Sequence, residues 1–191
     1  PANVLRRPST VRSIQQLAWS DPRAAVKLVD LVPAGKEREE MLRGVLNNLG
    51  NEDMEALDQW IGNRTDPRER DLGLLARASA LAETDPAAAV AGLQGIKLKP
   101  EDSWAFGRVF NQYAQRNPQA ALAAAQAMGD ATARRGAVVG ALEGWAEVDP
   151  AAAAAQALAL PGGSTRTDAI TRMATTWVQQ DPKAALNWLK Q

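Results

Sequence analysis

An aspartate or asparagine followed by proline stands at residues 21–22, 85–86, 117–118, 149–150 and 181–182. The prolines are Pro22, Pro86, Pro118, Pro150 and Pro182, spaced by 32 residues or by twice that. The copy missing from the series falls at 54, where the chain reads Asp53-Met54: the aspartate is kept and the proline is lost. Two residues beyond each proline position is an alanine: Ala24, Ala56, Ala88, Ala120, Ala152 and Ala184. Four residues before each Asp or Asn is a large apolar side chain: Leu17, Leu49, Leu81, Tyr113, Trp145 and Trp177. Copies in phase without insertion or deletion restrict the fold sharply, because self-similarity at such a period marks a repeat architecture.

Each copy has a physical reading. Aspartate and asparagine accept hydrogen bonds from the free amides of a helix start, so they act as N-caps. Proline follows at the first helical position, where its missing N–H costs nothing. The short, alanine-rich helix that begins there (type A) ends near Pro33, Gly95, Gly129 and Pro161-Gly162-Gly163, where helix-stopping residues occur. A second helix (type B) runs on to the next Asp-Pro. Its apolar residues recur at i, i+3, i+4 and i+7: Leu42, Val45, Leu46, Leu49; Phe106, Val109, Phe110, Tyr113; Val138, Ala141, Leu142, Trp145; Ile170, Met173, Ala174, Trp177. That spacing is one face of an α-helix and not the alternation of a strand. The second copy follows with Leu74, Ala78 and Leu81 but has Arg77 in the i+3 slot. One or two residues link B to A and about four link A to B, and short links force neighbouring helices antiparallel.

The expected fold is therefore all-α: a right-handed α/α superhelix (solenoid) of about six helical hairpins and roughly 12 helices. It would run as a single helical-repeat domain over residues 1–191, phased at Asp21, Asp53, Asp85, Asn117, Asp149 and Asp181. The positions that define it are Asp21, Pro22, Ala24, Asp85, Pro86, Asp149, Pro150, Asp181 and Pro182 at the helix starts, with Trp145 and Trp177 in the core. The architecture resembles the tetratricopeptide-like α/α superhelix, which also places a proline near one helix boundary per copy. The period here is 32, and the Trp-x-x-Leu-Gly-x-x-Tyr signature is absent, so the resemblance is one of class. It implies a protein- or peptide-binding surface without catalysis.

Composition narrows the chemistry. The chain has no cysteine and no histidine, which removes disulfides, thiolate chemistry and histidine general bases. No cofactor, metal or catalytic residue is expected. Lys plus Arg (22) balances Asp plus Glu (22), so no global field steers the chain onto phosphate backbones and no nucleic-acid partner is expected. No apolar run is long enough for membrane insertion. A soluble protein is expected, cytoplasmic or, if a signal peptide has been removed, periplasmic. The chain opens on Pro1 rather than methionine and is expected to be a piece of a longer protein. The first and last elements, near Ser9 to Ser20 and Asp181 to Gln191, read as half-hairpins. Solenoid ends carry polar caps, and Trp188-Leu189 is not one, so the uncapped C-terminal helix is a candidate for self-association.

The candidate partner-binding residues are Trp104, Trp19, Asn47, Asn51, Asn111 and Gln115. Trp19 and Trp104 stand at positions read as polar or small in other copies, Trp19 aligning with Asn51 and Glu83 and Trp104 with Glu40 and Asp168, and exposed tryptophans favour interfaces; local packing explains Trp19 equally well. Asn47, Ser79, Asn111, Glu143 and Thr175 form a polar row on type-B helices, with Asn51, Glu83, Gln115, Glu147 and Gln179 one turn on. Stacked amides suit an extended peptide, although the plainer reading is a wet helix face. Arg6, Arg38, Arg70, Arg134 and Arg166 recur near type-B starts, with Asp102 breaking the series. They read first as structural groups on the end of the preceding helix, and otherwise as a grip for an acidic partner. Gly162-Gly163-Ser164-Thr165 reads as a loop with a Ser or Thr helix cap. The acidic groups Glu37, Glu39, Glu40 and Glu52, Asp53, Glu55 read as complements to helix dipoles. The expected function is a non-catalytic protein- or peptide-binding scaffold; the alternative is the helical, non-catalytic arm of a larger enzyme, such as one of the cell envelope.

Overall fold

The structure is a computed structural model that describes residues 8–97, 99 and 103–190. Among the described residues there are twelve helices and no strand. They are α1 (Pro8–Ser20), α2 (Pro22–Val29), α3 (Lys36–Glu52), α4 (Met54–Gly62), α5 (Pro67–Leu81), α6 (Pro86–Gly92), α7 (Ser103–Arg116), α8 (Pro118–Gln126), α9 (Ala131–Val148), α10 (Pro150–Ala159), α11 (Ser164–Gln180) and α12 (Pro182–Leu189). The chain is all-α.

The joint from a long helix into a short one is built the same way six times. An Asp or Asn at 21, 53, 85, 117, 149 and 181 starts each short helix, directly after a long one except at 85, where a turn over 82–84 follows α5. Its N–H donates to the carbonyl of the large apolar residue four back, from Asp21 to Leu17 at 2.7 Å through to Asp181 to Trp177 at 2.8 Å. Its own carbonyl accepts from the residue four ahead, from Ala25 at 3.0 Å through to Ala185 at 3.0 Å. In five of the six joints the carboxylate also accepts from the alanine N–H three residues on, at 2.9–3.0 Å for Ala24, Ala56, Ala88, Ala152 and Ala184. Asn117 makes no such side-chain bond. Asp53 takes φ −153° and ψ 79°, against −153° and 80° at Asp21. The aspartate alone therefore holds the joint where Met54 replaces proline.

The recurrent alanine is mostly half-buried, and its N–H is what the cap uses. The core position is the next residue: Ala25, Leu57, Ala89, Ala121, Ala153 and Ala185 are all fully buried. A short helix that offers mainly alanine there lets its long neighbour come close, which is why this chain builds a core with few aromatics.

The links from short to long helices are less regular than the spacing suggests. Residues 63–66, 127–130 and 160–163 are four-residue links, but 30–35 is longer and 93–102 longer still. Two starts have an aspartate cap: Asp66 accepts from Arg68 and Glu69 N–H, and Asp130 from Ala133 N–H. The two at Gly35 (φ 150°) and Gly163 (φ 145°) have no side-chain cap. The Ser or Thr cap expected at 164–165 is thus not formed. Ser164 is already helical, and the turn is made by a glycine in a backbone region closed to other residues.

The chain divides into two compact units, residues 1–80 and 81–191. In the first, α1, α2 and α3 pack mutually and α4 packs on α3. The core there includes Ile14, Val29, Leu42, Leu46, Leu49, Leu57 and Ile61. α5 departs from the expected face: Leu72, Leu75, Ala76 and Ala78 are buried, while Leu74 and Leu81 are only half-buried. The reason is Arg77, which occupies the slot of a core residue and turns out to pair with Asp58 at 2.7 Å. Gly73 then lies against Trp60 and Ile61, where a Cβ would come within 2.6 Å of Ile61 Cγ1.

In the second unit the long helices α7, α9 and α11 lie side by side in chain order, with α8, α10 and α12 packed along them. α7 and α9 approach most closely. Gly136, Gly140 and Gly144 are spaced by four along α9 and face the backbone of α7. A Cβ on Gly140 would sit 2.0 Å from Gly107 O, and one on Gly144 2.2 Å from Asn111 O. Trp145 and Trp177 are buried, and Trp177 meets Trp188 of α12 with ring centroids 5.5 Å apart. Tyr113, the third aromatic of this series, is only half-buried.

Candidate functional site

The N-terminal halves of α7, α9 and α11 and the loop 160–163 enclose an open groove of about 1330 Å³ in the second unit. The close approach of α7 to α9, set by glycine, shapes one wall. The other is set by two ion pairs from α9 to α11: Arg135 to Asp168, at 2.9 Å from Nε and 2.5 Å from Nη2, and Arg172 to Glu143 at 3.4 Å. Trp104 lies on the rim with 56% of its surface exposed. The Arg108 guanidinium sits 5.8 Å from its ring centroid, within reach of a cation–π contact. Arg134 donates to the Met128 carbonyl at 2.7 Å, so its charge serves the end of α8.

The groove exceeds the 300–1,000 Å³ typical of small-molecule pockets, and its walls mix an aromatic face with hydroxyls and backbone. Thr132, Thr165 and Thr171 line it, as do Gly162 and Gly163. Its charged side chains are engaged with protein partners: Arg135 with Asp168, Arg172 with Glu143, Arg134 with a carbonyl. The arrangement can hold a strand of neutral main chain along the groove and a side chain on the Trp104 indole.

Of the candidates read from the sequence, only Trp104 lines this groove. Trp19, on α1, is 77% exposed. Asn47 is half-buried and Asn51 exposed on α3; they belong to the first unit. Asn111 and Gln115 sit on α7 and bond to a neighbouring helix. Asn111 Nδ2 donates to Glu147 Oε1 at 3.1 Å, and Gln115 Nε2 donates to Glu147 Oε2 at 2.8 Å and to Asn111 Oδ1 at 2.9 Å. This part of the polar row therefore ties α7 to α9.

Two members of the arginine series take the structural role. Arg38 Nη1 donates to Val32 O and Asp30 O, both at 2.8 Å, as Arg134 does to Met128 O three copies later. Arg38 also bonds Glu69 at 2.7 Å, and Asp30 in turn takes a two-pronged contact from Arg64 at 2.9 and 2.7 Å. Arg64 lies 4.2 Å from the Trp60 ring centroid. Arg6 and Asp102 lie outside the described residues. Of the acidic groups, Glu39 pairs with Arg68 at 3.1 Å, and Asp53 pairs with Arg23. The Asp53 carboxyl is held below its ordinary value chiefly by the Ala56 N–H, with burial opposing and Arg23 adding to the lowering.

Sequence reading missed Arg135, Glu143, Asp168 and Arg172 as groove walls, since lone charges on a helix carry no signal of a partner. It missed the glycines as well, although Gly136, Gly140 and Gly144 repeat every four residues, a spacing that puts them on one helix face. No helix among the described residues is long and apolar enough to cross a membrane. No protein-family model matches the chain, nor does any curated protein or solved structure.

Proposed function

We propose that the chain is a non-catalytic helical-repeat scaffold, a tetratricopeptide-like solenoid in class, that binds a protein segment in extended form along the groove of the second unit. The observation that carries this reading is the groove itself: a long open trough with an exposed indole on its rim and charges already engaged with neighbours. The six equivalent joints support the repeat architecture, because a backbone device copied at a constant interval sets successive hairpins in equivalent conformations. The neutral balance of 22 basic and 22 acidic residues favours a protein over a nucleic-acid partner.

The test is selection from a random-peptide display library against the intact chain. The expected result is a family of enriched peptides that bind Trp104→Ala at least about tenfold more weakly, as for an interface anchor, and bind Trp19→Ala as they bind the wild type. Enrichment of no peptide over a control helical protein, or peptides indifferent to Trp104→Ala, overturns the proposal.

A further inference from the structure

Arg38 and Arg134 occupy one register, three copies apart, yet only the first is neutralised. In the first unit the Arg38 side chain is 12% exposed, and all three nitrogens of its guanidinium have partners. Nη1 donates to the Asp30 and Val32 carbonyls, Nε to Glu69 at 2.7 Å and Nη2 to the Asp30 carboxylate at 3.2 Å. Arg64 joins the same two acids, at 2.7 Å to Asp30 and 3.6 Å to Glu69, so two cations meet two anions. In the second unit the same arginine has lost both acids. Three copies on, Asp30 is replaced by Gln126, Glu69 by Thr165 and Arg64 by Leu160. All three replacements are uncharged, and all three line the groove together with Arg134. Arg134 Nη1 keeps its carbonyls, Met128 at 2.7 Å and Gly129 at 3.4 Å. Its Nε and Nη2 have no partner among the described residues, and the side chain is exposed. Asp130, four residues back, caps the Ala133 N–H instead. The other guanidiniums that line the groove, Arg135 and Arg172, are paired with Asp168 and Glu143.

We infer, resting on the peptide-binding reading of the groove, that Arg134 is its carboxylate site: the bound segment brings an aspartate or glutamate side chain that fills the role of Asp30 and Glu69 in the first unit. In a guanidinium, Nε and one Nη form a fork that matches the two oxygens of a carboxylate. That is the edge Arg38 gives to Glu69 and Asp30, and the edge Arg134 leaves open. The carbonyl bonds of Nη1 hold the fork on the end of α8, so little rotamer freedom is lost when an anion arrives. Gln126 and Thr165 offer neutral donors in the register where two acids would repel it. Trp104 on the rim takes an apolar side chain of the same segment. The chain as a whole is neutral, so the preference for acid is a property of this arginine and not of the net field.

Peptides selected by display on the intact chain, then synthesised with both ends blocked, read the outcome by fluorescence anisotropy. The expected result is an Asp or Glu shared by the enriched peptides. Its exchange for the amide weakens binding to the wild type about tenfold and to Arg134→Gln less than about twofold. Gln126→Asp puts back the acid that the first unit has at this position. It weakens the acidic peptides about tenfold and leaves helical circular dichroism unchanged. This variant keeps Arg134 on the end of α8, so it decides the matter even where Arg134→Gln unfolds. Peptides that need Trp104 but no acid, an acid that matters equally in Arg134→Gln, or unchanged binding to Gln126→Asp overturns the carboxylate site and leaves the scaffold reading standing. Failure to enrich any peptide that depends on Trp104 overturns both.

Discussion

Replacing Gly140 with alanine tests the packing on which the groove depends. The added Cβ would stand 2.0 Å from Gly107 O, 2.5 Å from its Cα and 2.6 Å from its carbonyl carbon. A carbon meets a carbonyl oxygen comfortably at about 3.3 Å, so α7 and α9 must part by roughly 1 Å. A gap of that size forfeits up to about half of each dispersion contact along the pair. All three clashing atoms are backbone, so no rotamer relieves them. Overpacking typically costs about 1–3 kcal/mol and occasionally more, and a clash with no escape belongs at the upper end. Alanine recovers up to about 1 kcal/mol over glycine in a helix interior. The expected net loss is about 2 kcal/mol, or roughly 4–8 °C in Tm for a chain of this length. Gly44→Ala is the control. Gly44 is exposed on α3 and a Cβ there meets nothing within 4 Å, so alanine stabilises by about 0.4–1 kcal/mol. Urea unfolding followed by circular dichroism reads both. A Gly140→Ala variant as stable as the wild type, or two glycines that respond with the same sign, refutes the close-packing argument.

Two further predictions concern the joints. Asp149→Ala removes a carboxylate that caps Ala152 N–H at 3.0 Å and costs about 1 kcal/mol, whereas Asn117→Ala, at the one joint without a side-chain cap bond, costs less than half of that; urea midpoints compare them, and equal losses contradict the assignment. Asp53 titrates below its ordinary value of 3.8, so the stability that its charge supplies is fully present above about pH 4 and is lost as pH falls through the lowered pKa. Asp53→Asn keeps a capping side chain but not the charge, so the advantage of the wild type over this variant shrinks between pH 5 and 2; an advantage that is constant or grows over that range is inconsistent with the Arg23 and Ala56 contacts.

The helix class and the phase of the joints were legible because they are local. An aspartate cap, a proline at the first turn and an apolar residue four back are decided within nine residues of chain, and α1 to α12 begin or end on them. Residues that meet across helices were legible only where they recur. Arg38 and Arg134 occupy the same register and could be read as binding the end of the preceding helix. Arg77 was visible as an exception, but the rotation of α5 that it brings depends on Asp58, nineteen residues earlier. The groove escaped for the same reason: Arg135 and Asp168 are ordinary surface charges until α9 and α11 are side by side. The unequal links at 30–35 and 93–102 were hidden because the period counts residues between joints and is blind to how a loop and a helix share them.

The uniform joint has a consequence for how such a chain can change over generations. A duplication or deletion of 32 residues cut at any capping aspartate rejoins the same atoms in the same bonds, so the gene can lengthen or shorten by whole cassettes without a new splice being invented. The glycines of α9 are the exception: they fit the backbone of α7 and no other neighbour, and those two cassettes must be inherited as a pair.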